Sequence, residues 1–240
     1  MTTNTRGCWP NPTPRDRTHS RAPGPVGKDP DVELATTHLT QSAEWAVERW
    51  SALPVDRWDA TGLKGAWTPR RTLDHLVDSM LLYSAYVATR ARSRVSPPRN
   101  GDPAAAPTAL IDAFGSGVAI LTRLLDSFHD DERAFHPSGL ADRSGWIGMA
   151  CTEILVHTED TTGAVDTPEE HFPFALADAV VDRVLPWVPH DGNGRERLLW
   201  ATGRAPLAGR SPESADWWWQ SAPLTEWDGD PRRRTSPPQW

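Results

Sequence analysis

The stretch PRRTLDHLVDSMLLYSAYVATRARSR, residues 69–94, predicts the central element of the fold. Thr68 followed by Pro69 is typical of a helix start, because threonine caps the first turn and proline fits the first helical position. Apolar side chains then recur at helical spacing from Leu73 to Ala91. Further apolar side chains lie outside this stripe. We therefore expect a long helix that is surrounded by other helices.

Three further segments show the same apolar spacing, and they lie at residues 32–52, 108–128 and 144–163. The connections at 95–107 and 129–143 are polar or rich in proline and are expected to be loops. No strand-like alternation competes with the helical pattern. The sequence therefore predicts an all-α protein, with a four-helix bundle over residues 31–168.

The remainder of the chain has a different character. Residues 169–227 contain two short helical patterns, at 174–187 and 195–203, and the run Trp217-Trp218-Trp219. We expect this extension to pack on the bundle with the tryptophans as anchors, the alternative being an aromatic platform for a ligand. The ends, 1–30 and 228–240, are expected to be disordered because they hold too little apolar surface to offset the entropy of ordering.

The composition excludes several classes of protein. The chain has 240 residues and a formal charge of −7, which argues against a nucleic-acid partner because phosphate binding needs a basic surface. No apolar run approaches the ~20 residues of a membrane span, and the polar N-terminal segment does not resemble a signal peptide. Cys8 and Cys151 are too few for a disulfide framework or a cysteine-rich zinc site. We expect a cytoplasmic protein without a membrane partner.

A group of ionisable residues points to chemistry. Glu153 and His157 are four residues apart, and Asp160 lies on the same face of the predicted fourth helix. His75 on the second helix is followed by Asp78, a spacing that His157 and Asp160 repeat. Two histidines and a carboxylate can form a three-ligand zinc site with an open position, and a nearby carboxylate can orient each histidine.

The spacings alone leave a second interpretation open. A glutamate and a histidine four residues apart are common on helix surfaces, and His75 could be a histidine of the core whose hydrogen bonds are satisfied by the protein. The segment from His129 to His136 also carries two histidines with carboxylates between them. Its spacing fits no standard set of metal ligands, and we interpret it as a solvated loop.

The sequence resembles a known family in several places. The segment from Trp67 to Asp78 is similar to the helix that carries the first metal histidine in the DinB-like superfamily, within its mycothiol-dependent maleylpyruvate isomerase branch. Glu153 and His157 match the later helix that supplies a glutamate and a histidine, followed here by Asp160. Leu198–Arg204 and the tryptophans after it resemble the C-terminal part of such proteins.

The resemblance implies a divalent metal, zinc by preference, on His75, Glu153 and His157, with mycothiol as cosubstrate. It also implies a transferase or isomerase that adds this thiol to a small electrophile. We further predict Asp78 and Asp160 as residues that orient the histidines, and His136 and Arg204 as pocket residues, with Arg204 a candidate for contact with an anion.

Two alternatives to an enzyme stay open. The same fold could bind a metal and a small molecule without turnover, since proteins of one fold differ in their reactions. A metal-free helical protein could instead bind partners through its tryptophan-rich end. Cys151 is two residues from Glu153 and points away from the proposed ligands, so we interpret it as a small buried apolar side chain.

Overall fold

The fold comes from a computed structural model, which describes residues 32–60, 67–96, 99, 101–102, 104–162 and 171–234. The expected disorder of residues 1–30, like Cys8 within them, lies outside the described residues. The helices and strands, in chain order, are α1 Thr36–Ser51, a short 3-10 turn Val55–Arg57, α2 Pro69–Thr89, α3 Pro107–Asp126, β1 Ala134–His136, β2 Gly139–Ala141, α4 Arg143–Thr162, α5 Phe174–Val184, α6 Gly194–Ala201 and a final 3-10 turn Leu224–Glu226.

The four longest described helices pack side by side. Helix α2 contacts α3 and α4, and α1 contacts the same two helices, so the four form a ring around a common core. The core contains large buried side chains such as Trp50 and Phe114, whose rings meet edge to face at 5.1 Å. The predicted all-α class is confirmed.

Helix α2 begins as predicted and ends earlier than predicted. The Thr68 side chain accepts a hydrogen bond from the Arg71 backbone N–H, and Pro69 opens the helix. The helix ends at Arg90, whose backbone is left-handed with φ of 46°. The Arg90 guanidinium is bound by Glu132 with bonds of 2.8 and 2.9 Å. This long-range ion pair stabilises the end of the helix at Arg90. The apolar spacing continues past this point, so it does not predict where the helix ends.

The sequence predicted a loop at residues 129–143, between α3 and α4. The structure shows that this connection also contains two short strands. It contains a hairpin in which Ala134 pairs with Ala141 and His136 with Gly139. Each strand has three residues, too few for the alternation by which strands are identified. The Phe135 N–H donates to the Ala91 carbonyl, which attaches the hairpin to the end of α2.

The C-terminal extension packs on α4 through α5 and α6. Arg183 on α5 is almost fully buried and binds Asp142, the Ser144 hydroxyl and the carbonyls of Gln220 and Ala222. Its contacts join the start of α4 to the tryptophan-rich segment. Such an arrangement fits the expected packing of the extension on the bundle.

Part of the predicted C-terminal tail runs along the tryptophans. The Trp218 N–H donates to the Arg232 carbonyl at 2.9 Å, and Trp217 pairs with Arg233 in an antiparallel bridge. The Arg234 guanidinium lies 5.1 Å from the Trp218 ring. Residues 228–234 are therefore placed by specific contacts rather than disordered, while 235–240 lie outside the described residues.

The expectation that no apolar run approaches the length of a membrane span is wrong for α3. By length and composition alone this helix could cross a membrane, with a mean hydropathy of 1.4 over its most apolar window. One third of that window is buried in the protein. Its buried face, which includes Leu110, Phe114 and Leu121, packs on α1 and α2. An apolar helix that contributes one face to a helical core satisfies the same criteria as a membrane span.

Candidate metal centre

Helices α2 and α4 bring together the three predicted ligands. Nε2 of His75 lies 3.5 Å from Oε2 of Glu153, and Nε2 of His157 lies 3.2 Å from the same oxygen. One donor atom from each residue falls within 4.8 Å of the others. Within the described part of the chain, no other group of three such side chains comes this close.

Burial makes this cluster unusual. The side chains of Glu153, His75 and His157 are 8%, 14% and 19% exposed. A carboxylate removed from water is costly unless it is paired or coordinates a cation. The two imidazoles pair with Glu153, and both histidine side chains stay partly exposed.

The pKa values of the cluster follow from this pairing. Burial alone would raise the pKa of Glu153, but hydrogen bonds from His157 and His75 hold it far below its usual range. Burial alone would lower the pKa of His157, but Asp160 and Glu153 raise it to about 9. The metal-free cluster therefore keeps a proton on His157 beside an ionised Glu153. A cation that binds here must displace that proton.

Asp160 lies beside the outer ring nitrogen of His157. Oδ2 of Asp160 lies 3.3 Å from Nδ1 of His157, so the other ring nitrogen is directed at Glu153. Although burial would raise the pKa of Asp160, hydrogen bonds with His157 and Arg204 lower it to about 2. A carboxylate that binds the outer nitrogen of a histidine is a common support of a metal ligand.

Arg204 acts on this carboxylate. Its guanidinium binds Asp160 with two bonds of 2.8 and 2.6 Å, in the planar forked geometry that arginine favours. The residue follows α6, so the C-terminal extension contributes to the site. In the structure Arg204 contacts Asp160. A contact between Arg204 and an anionic ligand remains a prediction.

Asp78 is positioned differently from Asp160. Oδ1 of Asp78 lies 2.9 Å from Nε of Arg99, and burial raises the pKa of Asp78. Beside His75 the structure shows the Ser79 hydroxyl, 3.4 Å from Nε2. Asp78 is near enough for the charge of His75 to act on it. Its role in orienting that histidine remains a prediction.

Two aromatic residues at the site were not predicted as site residues. The Trp67 ring lies 5.2 Å from the His75 ring and stacks at 6.3 Å over the His157 ring. Tyr83 follows His75 by eight residues, two turns along the same face of α2. The helical spacing between His75 and Tyr83 could have identified Tyr83 as a site residue. Trp67 precedes the helix, so no helical spacing relates it to His75.

His136 lies in β1 and is only 6% exposed. The aromatic rings around it belong to Tyr83, Trp146, Trp218 and Trp219, with centroids at 5.5–6.0 Å. Burial lowers its pKa to about 3, although the charge of Glu153 acts in the opposite direction. His136 is therefore a neutral side chain near the triad rather than a member of a loop cluster with His129, which is exposed.

Cys151 is fully buried and turned toward α1. The Ser42 hydroxyl lies 3.6 Å from its sulfur, and burial raises the pKa of the thiol to about 12. A thiol that stays protonated and enclosed is not a nucleophile. The interpretation of Cys151 as a small apolar side chain is confirmed, and the chain supplies no thiolate from this position.

Comparison with known proteins gives matches to solved structures only. No family model and no curated protein matches the chain. Two solved structures match it with a TM-score of 0.52 and 14% sequence identity, and both are of mycothiol-dependent maleylpyruvate isomerase, one of them a mutant with a histidine replaced by alanine. The chain shares the fold of this isomerase. The match covers 75% of this chain and 92% of the isomerase, and it confirms, for the fold, the resemblance read from the α2 and α4 motifs.

Proposed function

We propose that the protein binds one divalent cation, zinc by preference, on His75, Glu153 and His157. The observation that supports this most is the convergence within 4.8 Å of three donor atoms from α2 and α4, one on a buried glutamate and two on partly buried histidines. Two imidazole nitrogens and one carboxylate oxygen form a donor set typical of catalytic zinc, with a position left for a ligand. The residues present therefore fit the cation.

We further propose that the protein is a mycothiol-dependent transferase or isomerase that acts on a small electrophile. The shared fold with the isomerase supports this proposal. A bound zinc ion would supply a positive charge that lowers the pKa of a thiol at its open position. Cys151 does not supply this thiol, because it is enclosed and stays protonated.

Other residues of the chain position the ligands and enclose the site. Asp160, held by two bonds from Arg204, fixes the ring of His157 so that Nε2 is directed at the site. Trp67 covers the two histidine rings and restricts water on that side. Tyr83 and Trp146 make the wall beyond Glu153 aromatic, since their rings meet at 5.2 Å. A small molecule with an apolar body fits such a wall.

Metal content tests the first proposal. Protein purified without chelator or nickel resin and then loaded with zinc is expected to hold about one zinc per chain, and His157→Ala is expected to lose it. His190→Ala is the matched control, because His190 is 60% exposed and outside the cluster. A folded wild type that takes up no zinc contradicts the proposal, as does a His157→Ala variant that keeps it.

Thiol-dependent turnover tests the second proposal. Zinc-loaded protein with mycothiol and maleylpyruvate, followed by a panel of other small electrophiles, is expected to give turnover that stops when mycothiol is omitted. Stoichiometric zinc without thiol-dependent turnover on any of them would instead favour a metal-binding module that lacks catalysis.

A further inference from the structure

Two hydrogen-bond donors lie in the aromatic wall beside the triad without an acceptor among the described residues. Tyr83 on α2 and His136 on β1 are 5% and 6% exposed, and their rings meet edge to face at 5.7 Å. The charge of Glu153 acts on both side chains, so both are within electrostatic range of the triad. Neither residue is a proposed metal ligand.

The hydrogen bonds of Ser138 fix the tautomer of His136. The Ser138 backbone N–H lies 3.1 Å from Nδ1, and the Ser138 hydroxyl lies 2.7 Å from the same nitrogen. A backbone N–H can only donate, so Nδ1 carries no proton and the proton of the neutral ring is on Nε2. His136 therefore presents an N–H donor at the other side of its ring.

Both donors keep their protons. Burial holds the pKa of His136 at about 3 and raises the pKa of the Tyr83 hydroxyl well above 10. Neither side chain therefore carries a charge near neutral pH. The pair therefore consists of two neutral donors.

The described part of the chain offers these donors no acceptor. Among the described residues, neither Nε2 of His136 nor the Tyr83 hydroxyl has a hydrogen-bond partner, yet both atoms keep contact with solvent-accessible space. The neighbouring indole N–H groups of Trp146 and Trp219 are enclosed and also lack a partner in that part of the chain. Buried donors without acceptors are costly and rare. The excess of hydrogen-bond donors around the His136 ring favours a ligand that carries hydrogen-bond acceptors.

We propose that Tyr83 and His136 together form a subsite for an acceptor oxygen, a carbonyl or carboxylate oxygen of the small molecule that reacts at the metal centre. One such oxygen has two lone pairs and can accept a hydrogen bond from each donor. The inference rests on the proposed function, because the triad is what places a reacting molecule beside the pair.

Binding of pyruvate to the zinc-loaded protein, measured by calorimetry, tests the subsite. Pyruvate carries both kinds of oxygen, and propionate carries the carboxylate without the ketone, so comparison of the two identifies which oxygen is bound. Tyr83→Phe and His136→Leu are each expected to raise the Kd for pyruvate about 2–10-fold, the effect of one hydrogen bond. His136→Gln keeps an N–H donor near the position of Nε2 and is expected to restore most of the affinity.

Tyr86→Phe is the matched control, since Tyr86 lies three residues away on the same helix and is 2% exposed. Its Kd is expected to equal that of the wild type. Because the Tyr83 hydroxyl has no protein partner, Tyr83→Phe is also expected to melt at the wild-type temperature or above it. A lower melting temperature would indicate a structural hydrogen bond and contradict the account.

Zinc content is measured on the same samples, so that the two proposals fail separately. Loss of zinc from the wild type would contradict the metal centre. Stoichiometric zinc without saturable pyruvate binding in the millimolar range would overturn the subsite, and so would Tyr83→Phe and His136→Leu variants that bind pyruvate like the wild type. The last result would mean that the two donors hold water only.

Discussion

Asp160 is the residue through which the C-terminal extension acts on the candidate metal centre. It contacts Nδ1 of His157 on one side and the Arg204 guanidinium on the other. An outer carboxylate of this kind fixes the tautomer of a ligand histidine and makes it more basic. The position of Asp160 after Glu153 and His157 could be predicted from helical spacing, but its pairing with Arg204 joins residues 44 apart in the chain and could not.

The first prediction at this scale concerns Asp160→Asn. The amide can still contact His157 but loses the negative charge, so we expect zinc affinity to fall about 10–100-fold. Competition with a chromophoric chelator measures the change. Asp178→Asn serves as control because Asp178 pairs with Arg197 away from the cluster. Equal zinc affinity in Asp160→Asn and wild type would show that Asp160 does not support the ligand.

A second prediction at this scale concerns pH and His136. Its folded pKa of about 3 lies below the ordinary histidine value of 6.5 because of burial, so the unfolded chain takes up the proton first as pH falls. The stabilisation is therefore complete above pH 6.5 and is lost as pH falls from there toward 3. At pH 5 the wild type is expected to lose about 2 kcal/mol relative to pH 7 from this group.

Urea unfolding of the wild type and of His136→Gln at both pH values isolates the contribution of His136. The free energy of unfolding of the variant should fall less between pH 7 and pH 5. The same fall in both proteins would mean that His136 is not held neutral by burial.

At the scale of elements, the apolar spacing predicts the helices well, and their ends and the hairpin poorly. The helix that carries His75 was placed from its own sequence, because Thr68 and Pro69 form a local start signal. At its end, Arg90 pairs with Glu132, 42 residues later in the chain, and no local pattern reports that contact. The hairpin of Ala134–Ala141 is held by its attachment to α2 rather than by strand propensity.

Close packing at the start of α4 gives a prediction for Gly145. A Cβ at this position would lie 2.0 Å from the Ser221 carbonyl oxygen, so Gly145→Ala must displace the tryptophan-rich segment. We expect a loss of about 1–3 kcal/mol in the free energy of unfolding. Gly115→Ala on α3 is the matched control, since nothing lies within 4 Å of that position, and it should gain up to about 1 kcal/mol from helix propensity. Urea unfolding of both variants measures the difference, and equal stabilities would contradict the packing.

At the scale of the whole molecule, buried charges attach the C-terminal extension to the helical core. The Arg183 and Asp142 side chains are 1% and 9% exposed, and Arg183 also binds two carbonyls of the tryptophan-rich segment. The sequence predicted that the extension packs on the bundle, but it gave no indication of these partners, because a single arginine within an apolar helical pattern resembles a surface residue. Arg204 was predicted as a pocket residue, but its pairing with Asp160 could not be predicted.

Arg183→Met tests this attachment. It leaves Asp142 buried without its cation, and we expect a loss of about 3–5 kcal/mol in the free energy of unfolding. We also expect earlier proteolytic cleavage within residues 185–234. Arg210→Met is the control, because Arg210 and Asp191 form an exposed pair, worth about 1 kcal/mol or less. Similar proteolysis of the two variants would refute the role of Arg183.

The central claim is that α2 and α4 hold one metal ion between them. A crystal structure of the zinc-loaded protein, with an anomalous map recorded at the zinc edge, tests it most directly. The account predicts one strong peak about 2.0–2.2 Å from Nε2 of His75, Nε2 of His157 and a carboxylate oxygen of Glu153. A peak at other residues, or none in a crystal that contains the intact triad, would contradict it.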